Sequence, residues 1–155
     1  MRKTPEDIKI DRISFQLGMI NCFVEMVACG VKKLALSPPL SPEDYRLIGK
    51  FSEEIVKDFG IQAYLEKSLL VTDLQSEEFT RGKWLILYYE KDDILKSYLS
   101  LKKRKRLLEK SGRHDKEARK DISREFGRLL SYPEDKIEER ISKDTPPTPF
   151  MIIKD

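Results

Sequence analysis

The sequence predicts an α/β domain with a small mixed sheet of three or four strands, and it leaves an α+β arrangement open as the alternative. Residues 84–89 are the first observation, because Trp-Leu-Ile-Leu-Tyr-Tyr is an unbroken apolar run followed by charged residues. Such a run is typical of a strand that is covered on both faces. Helical patterns on either side of it are the second observation. Because the chain has 155 residues, we expect a single domain over residues 1–144.

A long first helix is predicted over residues 5–29. Pro5 suits the first turn of a helix, and Gly30 provides a stop at its C-terminus. The apolar face is wide, which indicates a helix that is well buried or shared with a second copy of the chain. Cys22 and Cys29 lie seven residues apart on this helix, and we expect two reduced thiols in the core.

A strand, a helix and further strand segments follow in the predicted order. Residues 32–37 form a strand that two prolines break, and residues 42–59 form a helix with Ser41 as its N-cap. Residues 61–65 and 69–72 are predicted as strand material. A strand–helix–strand connection usually places its two strands parallel, which predicts the mixed sheet. The inward stripe of the helix is predicted to contain Tyr45, Ile48, Phe51, Ile55 and Phe59.

The region of residues 95–144 is predicted to be a basic helical half of the domain. Apolar spacing and capping residues predict three helices, which cover residues 92–111, 115–130 and 133–141. A proline-rich tail follows over residues 145–155. Its apolar end is expected to pack as an added edge strand, on its own sheet or on that of a neighbouring copy.

Positive charge is concentrated in one part of the chain. Residues 96–128 contain 13 Lys and Arg against 5 Asp and Glu, a net charge of +8, whereas the whole chain has a net charge of +3. An anionic partner, either nucleic acid or a phosphorylated ligand, is one interpretation, and a solvated helix pair is the other. Five successive cations sweep about 400° around a helix, so they cannot share one face. The candidate anion-binding residues are Lys102, Lys103, Arg104, Lys105, Arg106, Arg113 and Arg119.

The carboxyl ends of the predicted strands form a second candidate site. Ligands of open α/β sheets bind beyond these ends, where this chain has Ser37, Thr72 and Asp73. These hydroxyl and carboxylate groups could line a pocket for a small molecule. Strand ends and helix caps also use the same residue types for their own hydrogen bonds.

The sequence contains no pattern that assigns a reaction. It has no phosphate-binding glycine loop, one histidine (His114) and two cysteines, so we predict no catalytic set, no metal site and no cofactor. Apolar runs fall short of the roughly 20 residues that span a bilayer, so we expect a cytoplasmic protein without membrane contact. A non-enzymatic binding protein is the favoured function. A small-molecule binder or enzyme and a structural homo-oligomer remain the alternatives.

One segment resembles uncharacterised protein families. Residues 124–134, Arg-Glu-Phe-Gly-Arg-Leu-Leu-Ser-Tyr-Pro-Glu, resemble the Gly-x-Leu-Leu-Gly-Tyr-Pro segment of prokaryotic, largely archaeal, families of unknown function. Residues 33–39 give a similar, vaguer likeness. The chain has Ser131 where that segment has its second glycine, and the resemblance implies no activity. Physically, Gly127 would let its helix approach a neighbour closely, and the Tyr-Pro pair would fix the turn between two helices.

Overall fold

The computed structural model describes Thr4 and residues 7–143. This described part contains five α-helices, one three-stranded sheet and a short 3₁₀ helix at Glu77–Phe79. In chain order the elements are α1 (Arg12–Ala28), β1 (Leu34–Leu36), α2 (Pro42–Phe59), β2 (Gln62–Glu66), β3 (Leu85–Tyr89), α3 (Asp92–Lys110), α4 (Lys116–Leu129) and α5 (Glu134–Ile141). The predicted α/β fold with a small sheet is confirmed.

The strand order of the sheet is β1-β3-β2, with β3 in the centre. Both β1 and β2 pair with β3 in the antiparallel direction. The two outer strands therefore run the same way, as the crossover rule predicts, but β3 separates them. The expectation of a mixed sheet was wrong in this respect, because the described sheet contains antiparallel pairs alone.

The central strand is buried on both of its faces, as its unbroken apolar sequence predicts. Leu85, Leu87 and Tyr89 pack in one core cluster with residues of α3, α4 and α5. Ile86 and Tyr88 pack in a second cluster with residues of α1 and α2. The sheet is thus the middle of three layers, with two helices on one face and three on the other.

The first helix begins at Arg12, seven residues later than predicted. Asp11 is its N-cap, and the carboxylate of Asp11 accepts a hydrogen bond of 2.7 Å from the backbone N–H of Ser14. Pro5 lies outside the described residues. The prediction of two core thiols was wrong, because Cys22 and Cys29 are exposed. The buried face of α1 follows a different line, through Gln16, Ile20, Val24 and Val27.

The second helix has its predicted bounds, but its buried stripe differs from the prediction. The side chain of Phe51 is 53% exposed, and Phe59 is exposed as well. Ser52 is buried instead, because its hydroxyl forms a hydrogen bond of 2.8 Å with the hydroxyl of Tyr88 on the central strand. Ser52 therefore takes the buried position that the apolar pattern assigned to Phe51.

The segment that resembles the uncharacterised families forms the end of α4 and the turn into α5. A Cβ atom on Gly127 would lie 2.7 Å from Cγ1 of Ile137, so glycine permits the close contact of the two helices. Ser131 has a φ of 63°, in the left-handed region that favours glycine. Its hydroxyl accepts a hydrogen bond of 2.8 Å from the backbone N–H of Lys33. The hydroxyl thereby ties the end of α4 to the residue before β1.

No helix in the described part of the chain is long and apolar enough to cross a membrane. The tail of residues 145–155, predicted as an added edge strand, lies outside the described residues.

Candidate functional site

After Glu66, the last residue of β2, the chain continues to Leu74 as a partly buried segment without regular structure, and we call residues 66–74 the 66–74 loop. Residues 69–72 were predicted as a strand, and this prediction was wrong. Leu69, Leu70 and the following Leu74 are buried nonetheless in the core cluster beneath α3, α4 and α5, whereas Val71 is exposed. A buried segment outside a sheet must satisfy its backbone N–H and C=O groups in another way.

Side chains of α3 supply many of these missing partners. The hydroxyl of Tyr98 accepts a hydrogen bond of 3.1 Å from the N–H of Leu70. The ammonium group of Lys102 donates to the carbonyl of Ser68 at 2.7 Å. Lys105 donates to the carbonyl of Val71 at 2.8 Å. These lysines of the predicted anion-binding cluster therefore hold the 66–74 loop in place.

A charged network anchors the beginning of the same loop. The carboxylate of Glu66 is buried, and it accepts hydrogen bonds of 2.8 Å from both the Tyr98 hydroxyl and the Lys102 ammonium group. The Lys102 side chain is 22% exposed. Burial raises the pKa of Tyr98 above its ordinary value, so the hydroxyl stays protonated as a donor. Lys102 thus has a structural partner on the inner side of α3.

Three further cations of the predicted cluster have polar partners on the surface. Arg104 forms an ion pair of 2.8 Å with Glu125 on α4. Arg119 forms an ion pair of 2.5 Å with Asp73. The Nε group of Arg113 donates to the hydroxyl of Ser111 at 3.2 Å.

The exposed side of α3 has a different arrangement. Four cations there form no hydrogen bond or ion pair within the described residues, and all four are exposed. At about 100° per residue they fall within a sector of about 80° on the helix. They extend along about 21 Å of the helix axis, at 1.5 Å per residue. We call this set the outer stripe, and it consists of Lys96, Lys103, Arg106 and Lys110.

The outer stripe contains two of the predicted residues and two that the candidate set omitted. Lys103 and Arg106 were predicted, whereas Lys96 and Lys110 were not. The spacing of seven residues between Lys96, Lys103 and Lys110 is a signal that could have identified them, because residues seven apart share a helix face.

A cavity of about 350 Å³ lies between the 66–74 loop, α3 and α4, and we call it the α3–α4 cavity. It brings together residues from both predicted sites, since the strand-end candidates Thr72 and Asp73 and the basic candidates Lys105 and Arg119 all line it. The hydroxyl of Ser123 accepts from the N–H of Asp73 at 3.0 Å. The side chain of His114 completes the polar lining.

Ser37 is not part of this cavity. Its buried hydroxyl accepts from the N–H of Ile86 at 2.9 Å and donates to the carbonyl of Pro38 at 2.9 Å. The same residue borders a smaller cavity of about 170 Å³ whose walls include Met19 and Phe23 of α1. Ser37 therefore borders a different cavity from Thr72 and Asp73, which lie at the end of a segment that is not a strand.

Within the described residues, no group of three or more His, Cys, Asp and Glu side chains is arranged to hold a metal ion. No protein-family model, no curated protein and no solved structure matches the chain.

Proposed function

We propose that the protein is a non-enzymatic binding protein whose outer stripe contacts the phosphate backbone of a nucleic acid. The observation that supports this function is the set of four exposed cations on one face of α3 without partners among the described residues. Such charges remain available to phosphates, and their counterions are released when a polyanion binds. The cations on the inner side of the helix already have partners in the fold.

The dimensions of the outer stripe suit a nucleic acid backbone. Its length of about 21 Å corresponds to about six phosphates of one strand, which are spaced about 3.4 Å apart along a duplex. Within α3 the one acidic residue between Lys96 and Lys110 is Glu109, which lies 3.8 Å from Lys105 on the inner side. Between Lys96 and Lys110 the charge of the stripe is therefore not offset from within the helix, whereas Asp92 and Asp93 precede Lys96 in the first turn.

The composition of this face favours contacts with phosphates over contacts with bases. Beside the cations it exposes Leu99 and Leu107, and Leu107 is 55% exposed. The aromatic residue of α3, Tyr98, is buried on the inner side. Stacking on bases needs exposed aromatic rings, so the proposed binding is independent of nucleotide sequence.

Fluorescence anisotropy with a mixed-sequence DNA duplex and a mixed-sequence RNA strand, at about 50 and 200 mM salt, tests this function. We expect binding at the lower salt that weakens steeply at the higher salt. The variant Lys103→Glu, Arg106→Glu should lose the binding at both concentrations. Absence of binding at the lower salt, or equal binding by the variant, would contradict the proposal.

Self-association is a second candidate function, and the exposed apolar residues of α2 favour it. Leu47 and Phe51 lie one turn apart on this helix, and both are exposed. Apolar side chains in such an arrangement often contact another protein. Light scattering coupled to size exclusion gives the test. A mass of 18.2 kDa at all concentrations excludes this candidate, and a larger mass that Phe51→Glu reduces supports it.

A further inference from the structure

One residue that lines the α3–α4 cavity has a buried polar atom without a partner. The side chain of His114 lines the cavity and is 16% exposed, and its Nε2 atom has no hydrogen-bond partner among the described residues. Nδ1, the other ring nitrogen, lies 3.9 Å from a carboxylate oxygen of Glu109. As the ring stands, Nε2 is covered by protein atoms, so His114 lines the cavity through other atoms of its side chain and serves as a reporter of the site rather than as a donor.

Two cations border the same cavity and retain free donors. Lys105 uses one of its three N–H groups for the carbonyl of Val71. Arg119 contacts Asp73 through Nη2, and its guanidinium forms no other hydrogen bond within the described part of the chain. The N–H groups that remain on these two side chains can contact a molecule in the cavity.

We propose that the α3–α4 cavity binds the phosphate group of a small organic phosphate. Lys105 would provide a compact positive charge, and Arg119 a planar set of donors. The volume of about 350 Å³ is near the lower limit of small-molecule sites, so the ligand is small.

The acidic groups near the cavity are consistent with such a ligand. Asp73 is paired with Arg119, and Glu109 lies 3.8 Å from Lys105 as well as near His114. The second carboxylate oxygen of Asp73 can accept a hydrogen bond from a hydroxyl group of the ligand. An organic phosphate with a hydroxyl group therefore matches both the cations and the carboxylate better than a simple anion does.

His114 provides a direct measurement, because it is the one histidine in the sequence. In a two-dimensional ¹H–¹³C spectrum its imidazole signals are unambiguous, and they can be followed while inorganic phosphate is added. We expect a saturable shift of these signals with phosphate and no such shift with chloride at the same ionic strength. Lack of a saturable shift with phosphate, or an equal shift with chloride, would overturn the proposal.

Two variants test the position of the site, and two controls test whether cations outside the cavity contribute to phosphate binding. Arg119→Gln and Lys105→Gln should each weaken the affinity for phosphate at least tenfold, and the second serves if the first does not fold. Arg104→Gln removes a cation paired with Glu125 outside the cavity and should leave the affinity unchanged. Lys103→Ala, Arg106→Ala should also leave it unchanged, since the outer stripe is separate. The assignment would be contradicted if both cavity variants kept the phosphate affinity of the original chain, or if both controls lost it.

Discussion

The inner and outer sides of α3 carry the same residue types in different surroundings. On the inner side, Lys102 and Lys105 donate to the carbonyls of the 66–74 loop and to the buried carboxylate of Glu66. On the outer side, Lys103 and Arg106 have no partners among the described residues. Basic residues that are adjacent in sequence therefore do not form a single surface on the helix. The inner cations should affect stability, and the outer cations should affect binding.

The largest expected effect comes from removing an inner cation. Lys102→Met leaves the carboxylate of Glu66 buried without its ionic partner. Loss of a fully buried partner costs about 3–5 kcal/mol, and because Lys102 is partly exposed we expect a loss of about 2–3 kcal/mol. Urea denaturation measures it, and Lys103→Met is the matched control on the outer side. Equal stabilities of the two variants would show that the two sides do not differ.

The next effect concerns the packing of the helical layer itself. Gly127→Ala places a methyl group within 2.7 Å of Ile137, a fully buried residue, so the two helices must move apart. Overpacking of this kind costs about 1–3 kcal/mol. Thermal denaturation should show a lower melting temperature, and Ile137→Val should restore part of it in the double variant. A melting temperature equal to that of the original chain would mean that the contact is looser than described.

A smaller effect appears at alkaline pH. Burial raises the pKa of Tyr98, so above about pH 10 the unfolded chain releases this proton and the folded chain keeps it. The free energy of unfolding should therefore fall with rising pH, by up to about 1.4 kcal/mol per pH unit for this group. Denaturation between about pH 9 and 11 should show a shallower fall for Tyr98→Phe. An unchanged slope would place Tyr98 in contact with water.

Other groups that titrate in this range do not disturb the comparison. Burial likewise raises the pKa of Tyr88, and burial followed by the charge of Arg140 lowers the pKa of Lys32. A lowered lysine pKa acts in the opposite direction, because the unfolded chain then binds the extra proton and stability rises with pH. These residues are present in both proteins, so their contributions cancel in the difference.

The smallest effect on stability is expected for the outer stripe. The double variant Lys103→Ala, Arg106→Ala removes two exposed side chains without partners in the described residues. Its free energy of unfolding should stay within about 0.5 kcal/mol of that of the original chain. Urea denaturation of this variant and of Lys102→Met under the same conditions compares their two free energies of unfolding. A loss above 1 kcal/mol would assign these two cations to the fold.

Local patterns predicted most of the fold. The N-cap at Ser41, the unbroken apolar run of β3 and the stop at Gly30 each depend on neighbours in sequence, and the structure has all three. The antiparallel order depends on β3 lying between two strands that are distant in sequence, which local patterns do not encode. Likewise, the apolar character of Leu69 and Leu70 indicates burial but not the side-chain hydrogen bonds that replace a strand.

The candidate sites likewise include one feature that local patterns indicate and one that depends on residues distant in sequence. Helical spacing places Lys96, Lys103 and Lys110 within about 40° of one another, so most of the outer stripe could have been predicted, whereas Arg106 lies about 40° from Lys102 and spacing alone does not assign its side. The α3–α4 cavity could not, because it joins Asp73 to side chains that lie 32–50 residues further along the chain. The predicted strand-end site required Ser37 near Asp73, and this depended on a strand over residues 69–72 that the described chain does not have.

The central claim is that the outer cations bind a polyanion and other exposed cations do not. Its most direct test is the dependence of the DNA dissociation constant on salt. Each phosphate contact contributes about 0.9 to the slope of log K against log salt, so Lys103→Ala, Arg106→Ala should flatten the slope by about 2. The matched control Arg46→Ala, Lys50→Ala removes the same two residue types from an exposed face of α2, across the sheet, and should leave the slope unchanged. Equal slopes for the two double variants would contradict the claim.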